Sequence, residues 1–279
     1  MTLQNSSRLG RERGVGRRVA VAGILLSLAV STFAWANEAT PPDLLTQADR
    51  EMLAHLGPGV IGKRVPAPSE KEIAAAVVQE GGVRVRMVAG DHAGQTVEVT
   101  TKSVSKLPDG SVVKSPTWAV DIPGVMQQYV VLDETGLTAP ALLLRRSGLF
   151  SEYQPIEPLL LFGIGPGESK SYVSKVAARH VSKPKEVAYA GEATITYRNL
   201  GAYEIKTPAG TFPGLVIRCD YVGKIGPANM NDVGIRIYTP GKGLIAYSAH
   251  DRFSAFLVLK KNIVNAFILA ATEDKTASD

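Results

Sequence analysis

Cysteine is all but missing from this chain. Cys219 stands alone among 279 residues, which excludes an intramolecular disulfide, and its place on the apolar face of a strand reads as a small buried hydrophobe rather than a reactive thiol. Metal-ligand spacing is absent too: His55, His92, His180 and His250 are scattered, with no second His three or four residues from any of them. Asp91-His92 and His250-Asp251 set an acid beside an imidazole, but adjacent strand residues face opposite ways. All four histidines therefore read as surface or loop residues. There is no G-x-S-x-G elbow, no H-E-x-x-H and no Cys/His pair. The run Gly163-Ile-Gly-Pro-Gly-Glu-Ser-Lys-Ser171 fails as a phosphate loop, because Ser169 precedes the lysine and Ile164 stands where an earlier glycine is needed. It reads as a turn between strands. No catalytic residue, metal site or cofactor is assigned, and the chain is read as a non-enzyme. One route to chemistry stays open, a convergence in space of Glu152, Glu157, Glu186, Glu192 and Asp220.

A long apolar run occurs only near the start. Arg8, Arg11, Arg13, Arg17 and Arg18 precede an apolar stretch from Val19 to Phe33, and Ala34-Trp35-Ala36 forms an A-x-A cleavage site. Residues 1–36 thus predict a cleavable signal peptide; the run is shorter than the ~20 residues of a membrane span. Val-Ala-Val after Arg17-Arg18 does not extend a twin-arginine signal, so a general secretory route and a periplasmic protein are expected. No cysteine follows the apolar stretch, which argues against a lipid anchor. The leader also carries the charge. The whole chain has 31 basic and 26 acidic residues; removing five Arg and one Glu with the leader leaves 26 against 25. Near neutrality provides no basic stripe for phosphates, and nucleic acid is excluded as a partner.

What is there reads as strands. After a Pro-containing lead-in, an amphipathic helix is predicted from Asp43 as N-cap through Leu56, with Gly57-Pro58 as its stop. Gly57 to Pro68 reads as irregular. A second short helix follows from Ser69, with Glu72 completing a capping box, so residues 37–80 form a helical and irregular segment. From Val83 the helical signal fades. Alternating runs at 83–88, 95–104, 112–120, 128–132, 137–146, 153–162, 171–179 and 185–200 are punctuated by Pro/Gly/Asp turns.

The clearest stretch runs from Tyr203 to Tyr247. Thr207-Pro208-Ala209-Gly210 reverses the chain, and Leu215, Ile217, Cys219 and Tyr221 alternate with Arg218 and Asp220, one face core and the other wet. After a Gly/Asn loop, Val233, Ile235 and Ile237 alternate with Gly234 and Arg236 before a turn at Thr239–Gly243. Phe253 to Ala271 reads either as two strands reversing at Lys260-Lys261-Asn262 or as one helix, neither long enough to span a bilayer. Residues 81–271 thus form one β domain, followed by a disordered tail at 272–279. The fold class is mainly β: a strongly curved antiparallel sheet, half-barrel or barrel-like, with one or two N-terminal helices.

Aromatic side chains fall mostly on these strands. On a curved sheet, Phe150, Tyr153, Phe162, Tyr197, Tyr221 and Tyr238 are candidates to line a concave face that holds an apolar ligand, although large aromatics are also ordinary core material.

The motifs Thr207-Pro-Ala-Gly-Thr-Phe212 and Tyr238-Thr-Pro-Gly-Lys-Gly243 resemble those of a family of exported bacterial proteins of unknown function, over roughly the last 120 residues. Tyr238-Thr239 stands where that family often has Trp-Tyr. The family is similar in architecture to the half-barrels of periplasmic lipoprotein carriers, which implies a concave apolar face. The expectation is a periplasmic, non-catalytic protein that binds a lipid-like or other apolar ligand in cell-envelope maintenance. The competing expectation is an accessory protein of an envelope complex that works through contacts with a protein partner.

Overall fold

A computed structural model describes residues 42–255 and 259–271. The expected leader, 1–36, and the tail, 272–279, lie outside the described residues. Helix α1 (Gln47–Ala54), strand β1 (Ile61–Val65) and helix α2 (Glu70–Val77) come first. Twelve strands follow: β2 (Gly81–Ala89), β3 (Thr96–Lys106), β4 (Val112–Ile122), β5 (Met126–Asp133), β6 (Gly136–Leu144), β7 (Leu149–Leu161), β8 (Ser169–His180), β9 (Tyr189–Thr207), β10 (Gly210–Ile225), β11 (Ala228–Thr239), β12 (Gly243–Ala255) and β13 (Leu259–Leu269). From β2 onward each strand pairs antiparallel with the next, and β13 returns to β2 with Phe267 opposite Met87. The twelve strands close into an up-and-down barrel, which removes the free edges that a curved open sheet would present. The protein is mainly β, and of the two forms expected the closed one is adopted.

Period-two alternation gives every strand an inner and an outer row. Val85, Met87, Val120, Ile122, Leu137, Ile217 and Phe267 belong to the apolar cluster inside the ring. The two helices treat the ring differently. α2 sits at one end, where its Ile73, Ala74 and Val77 join that inner cluster. There the Glu70 carboxylate accepts the Gly163 N–H at 3.0 Å, and Val77 comes so close that a Cβ on Gly243 would lie 3.1 Å from its Cα. Gly243 is also at φ +70°, so two separate constraints require glycine there. α1 instead covers the outside. Its Met52 and Leu53, with Leu56 just past its end, pack on the outer row Val216, Ile235, Ile237 and Ile245, each burial contributing roughly 1.5–3 kcal/mol.

α1 differs from the expected helix at its start. Thr46, not Asp43, is the N-cap, in a reciprocal box in which Thr46 Oγ1 accepts the Asp49 N–H and the Asp49 carboxylate accepts the Thr46 N–H. Asp43 lies before the helix, where it accepts from Tyr203 and pairs with Arg50. Ser69 caps α2 as read, accepting the Glu72 N–H, but among the described residues the Glu72 side chain does not return the bond that would complete a capping box.

α1 also changes the meaning of the outer row of β10. Arg218 and Asp220, expected to be wet, lie on a covered face: Arg218 bonds the fully buried Asp49 at 2.6 Å and grips Asp220 with two nitrogens. The wet side of this strand is a second buried interface.

Four further expectations need correction. The stretch 57–68 contains β1, paired with β9 around Ile61–Ile205. Of the run expected at 185–200, residues 189–200 join 203–207 in one strand, β9, which bulges where Leu200 and Gly201 face a single residue, Val216. Gly201 takes φ +88° there, and the Asn199 side chain locks the bend by accepting the Gly201 N–H and donating to the Ile164 carbonyl. This bulge transfers β9 from pairing with β8 to pairing with β1. The Gly/Asn loop near 223–232 shrinks to a turn after Ile225, and Asn229 and Asn231 sit within β11. Finally, the apolar C-terminal piece is a strand pair, but Lys260, Lys261 and Asn262 lie in β13 opposite Ser254, Phe253 and Arg252; the reversal falls before Leu259.

Candidate functional site

The decisive strand is β11. Its sequence Asp232-Val-Gly-Ile-Arg-Ile-Tyr238 puts Val233, Ile235 and Ile237 outward beneath α1, and so turns Asp232, Gly234, Arg236 and Tyr238 into the lumen. The apolar row faces out because a helix waits there; the polar row is the one enclosed. Arg236 keeps only 5% of its surface exposed and Glu157, from β7, only 2%.

These two form a buried ion pair, with Arg236 Nη2 2.9 Å from Glu157 Oε1. Tyr221, on β10, donates its hydroxyl to the same carboxylate oxygen at 2.5 Å and accepts from Arg236 at 3.3 Å. Gln128, on β5, donates to the other carboxylate oxygen at 3.4 Å. Four strands thus contribute to one network, and a buried charge pair is tolerable only when its remaining donors and acceptors are used in this way. Burial works against the Arg236 charge, but Tyr221 and Glu157 beside it hold the guanidinium pKa well above its ordinary value. Burial drives the hydroxyls of Tyr153, Tyr221, Tyr238 and Tyr247 far above their usual range, so they act here as neutral donors and acceptors.

Beyond this network, two carboxyls face each other. Asp232 lies opposite Tyr221, and the pairs Met230–Phe253 and Val233–His250 set Asp251 opposite Asp232. The Asp232 carboxyl accepts the Arg252 backbone N–H at 2.7 Å. Burial pushes Asp232 up to about 7, with the neighbouring Asp251 adding to the rise, and pushes Asp251 up to about 6.

Between the two polar layers runs a row of small residues. Cys219, Gly234 and Ala249 are register partners, and a Cβ added to the buried Gly234 would meet a single neighbour, Tyr247 Cε2, at 4.0 Å. The wall is cut back here, so a Cβ on Gly234 is accommodated without a clash. Cys219 is fully buried, its thiol 3.7 Å from the Pro158 carbonyl and pushed up to about 11 by burial, so it is a packing residue and not a nucleophile.

Of the six aromatic candidates, Tyr153, Tyr197, Tyr221 and Tyr238 line the lumen. Tyr197 and Tyr238 sit in the inner cluster and Tyr221 packs against it, while Tyr153, opposite Val176, lies within electrostatic reach of Glu157 and Arg236. Phe162 packs on the inner cluster just past the end of β7. Phe150 does not face the lumen: it is buried on the outside with Ala119, Ala141 and Leu143, edge-on to Tyr129 at 6.0 Å. Phe150 stands three residues before Tyr153 on β7, an odd separation that puts the two side chains on opposite faces of the wall.

The five acids considered for a carboxylate site do not converge. Glu152 pairs with Arg179, Glu186 with Lys183 and Asp220 with Arg218, Glu192 is exposed, and of the five only Glu157 enters the lumen. The signal for Asp232 and Arg236 was the alternation of β11 read with the opposite face inward, and Asp251 lies on the neighbouring β12. Among the described residues, no group of three His, Cys, Asp or Glu side chains is placed to hold a metal ion. Two surface grooves of about 340 and 350 Å³ flank the α1–β1 connection at Gly57, Pro58 and Val60; they lie outside the ring, away from the polar network.

No protein-family model and no curated protein matches the chain. Two solved structures align with it: a candidate lipoprotein from Parabacteroides distasonis, 12% identical with a TM-score of 0.32, covering 70% of this chain and 95% of its own, and a candidate exported protein with a YmcC-like fold from Bacteroides fragilis, 13% identical with a TM-score of 0.33, covering 69% and 95%. Superpositions this loose carry no argument; the barrel's own geometry does.

Proposed function

We propose that this chain is an exported, non-catalytic binding protein of the cell envelope that holds a small lipid-like ligand inside its barrel. The observation that carries the reading is the small row at Cys219, Gly234 and Ala249 in the barrel wall, where an added Cβ on Gly234 would meet only Tyr247 Cε2 at 4.0 Å, in a lumen that also holds Tyr221 and the Arg236–Glu157 pair. Small residues in one row of a barrel wall make room for a guest, and an interior that mixes aromatic surface with a few placed polar groups is the usual make-up of a small-molecule site. With α2 closing one end, the ligand enters from the end that carries the turns at 90–95, 123–125 and 226–227. Two lumen groups are held in roles that favour binding over turnover: Cys219 is a neutral thiol, and Glu157 is occupied by Arg236, Tyr221 and Gln128.

The test is extraction and mass analysis of whatever accompanies residues 37–279 purified from the periplasm. A reproducible stoichiometric amphiphile supports the reading, and a protein that carries nothing and takes up no added lipid removes it. An accessory role through protein contacts is the second reading. It is favoured by Val173 and Val222, 59% and 55% exposed and both paired to Thr194 on the outer wall. A Val173→Lys/Val222→Lys variant that loses crosslinking to an envelope protein without losing its fold would support it.

A further inference from the structure

β7 and β8 are joined over only part of their length. Their pairing runs from Leu149 opposite His180 to Gln154 opposite Lys175 and ends there, although β8 stays paired to β9 as far as Ser169. β7 leaves the ladder at Pro155. Pro155 and Pro158 have no N–H to offer a neighbouring strand, Glu157 and Pro158 are buried, and the Pro158 carbonyl accepts from the Cys219 thiol on β10. The Ser174 hydroxyl donates to the Pro155 carbonyl at 2.8 Å and pins the parting.

Register decides which backbone groups this leaves open. The Val181 N–H donates to the Gly148 carbonyl at 2.9 Å, and the Asn199 N–H donates to the Glu168 carbonyl at 3.1 Å. Odd-numbered residues of β8 thus direct their N–H and C=O groups toward β7, and even-numbered ones toward β9. Those of Ser169, Ser171 and Val173 point into the parting, where no described strand is paired to them. Their side chains are exposed as well, Val173 at 59%. Unpaired donors and acceptors in a row are a template for one more strand.

We infer that the β8 edge Ser169–Val173 receives an extended segment of a partner protein as an added strand. Alternating backbone donors and acceptors at strand spacing select an extended polypeptide. A second copy of this chain fits less well, since an edge of five residues falls far short of the ~1,200 Å² that a stable dimer buries. The exposed Lys170 and Lys175 flank the edge and favour a segment that carries an acid, and Val173 favours a β-branched residue beside it. The inference rests on the protein-contact reading above and is independent of the lumen.

The probe is an end-blocked, fluorescein-labelled peptide, Thr-Val-Glu-Val-Thr, followed by anisotropy on residues 37–279. Two further copies carry N-methyl groups, one on both valines and the other on the glutamate and the last threonine, so that each has one row of N–H groups blocked. Saturable binding of the parent is expected, retained by one methylated copy and lost by the other, because an added strand offers a single edge to β8. Ser171→Pro, which removes an edge N–H but none that bonds to β9, is expected to weaken binding at least about tenfold, and Ser171→Ala to leave it unchanged; circular dichroism checks both folds. No binding of the parent, equal binding of the two methylated copies, or a folded Ser171→Pro protein that binds as the wild type overturns the inference. Sedimentation that shows a dimer dispersed by the peptide overturns it in favour of a second copy. If the Val173→Lys/Val222→Lys variant loses its crosslink while the peptide fails to bind, the protein-contact reading stands and strand addition falls.

Discussion

Replacing Asp232 by Asn removes a carboxyl that the barrel holds in its protonated form. In the unfolded chain Asp titrates near its ordinary value of 3.8, whereas in the fold burial and the nearby Asp251 raise it to about 7. Between those two pH values the native state binds more protons than the unfolded state, so stability must fall as pH rises. Its contribution is fully present below pH ~3.8 and is gone above pH ~7. A rise of roughly three pH units, at ~1.4 kcal/mol per unit, gives about 4 kcal/mol across that window. Asn has the shape of the protonated acid, and its carbonyl oxygen can still accept the Arg252 N–H that Asp232 accepts at 2.7 Å. Asp232→Asn is therefore expected to match the wild type near pH 4 and to exceed it by about 3–4 kcal/mol at pH 8, with a flatter stability–pH curve. Urea denaturation at half-unit pH steps reads this directly. Parallel curves for the two proteins would refute the reasoning, because they would mean that the carboxyl titrates alike in both states.

Glu157→Gln leaves the Arg236 guanidinium buried without its counter-charge and is expected to cost about 3–5 kcal/mol, while Glu157→Gln/Arg236→Met recovers most of that loss; chemical denaturation of both checks it, and equal stabilities would contradict the pairing. Cys219, fully buried with its thiol pushed up to about 11, is expected to resist a thiol-reactive chromophore at pH 8 in the native protein and to react within minutes once unfolded, as followed by absorbance.

The strands were legible because turn residues and alternation both depend on local backbone geometry, and Thr207–Gly210 reverses the chain where its proline and glycine require. Thr207 caps that turn, accepting from Ala209 and donating to the Gly210 carbonyl. Which face of a strand is enclosed is a tertiary matter. Alternation in β11 is the same whichever row points inward, and the choice was decided by α1, some 180 residues away in sequence, whose Met52 and Leu53 cover the apolar row. Reading Arg236 as wet followed from treating the apolar row as the barrel's inside. Phe150 was misplaced because it stands three residues from Tyr153 on β7, and period-two alternation cannot turn both inward. Tyr153, Tyr197, Tyr221 and Tyr238 fall in the inward row of their strands, as local alternation indicates. Closure itself depends on β13 meeting β2 across most of the chain, a pairing that no turn encodes.

The central claim is that a ligand is held over Gly234. Native mass spectrometry of residues 37–279 from the periplasm, wild type beside Gly234→Phe, tests it most directly. Gly234 has ordinary φ and only Tyr247 within 4.0 Å of an added Cβ, so a phenylalanine ring there can occupy the space that a guest would use while the barrel still forms. The account predicts a bound mass on the wild type and a bare, folded Gly234→Phe protein. The same adduct on both proteins, or no adduct on either after incubation with lipid, would contradict it.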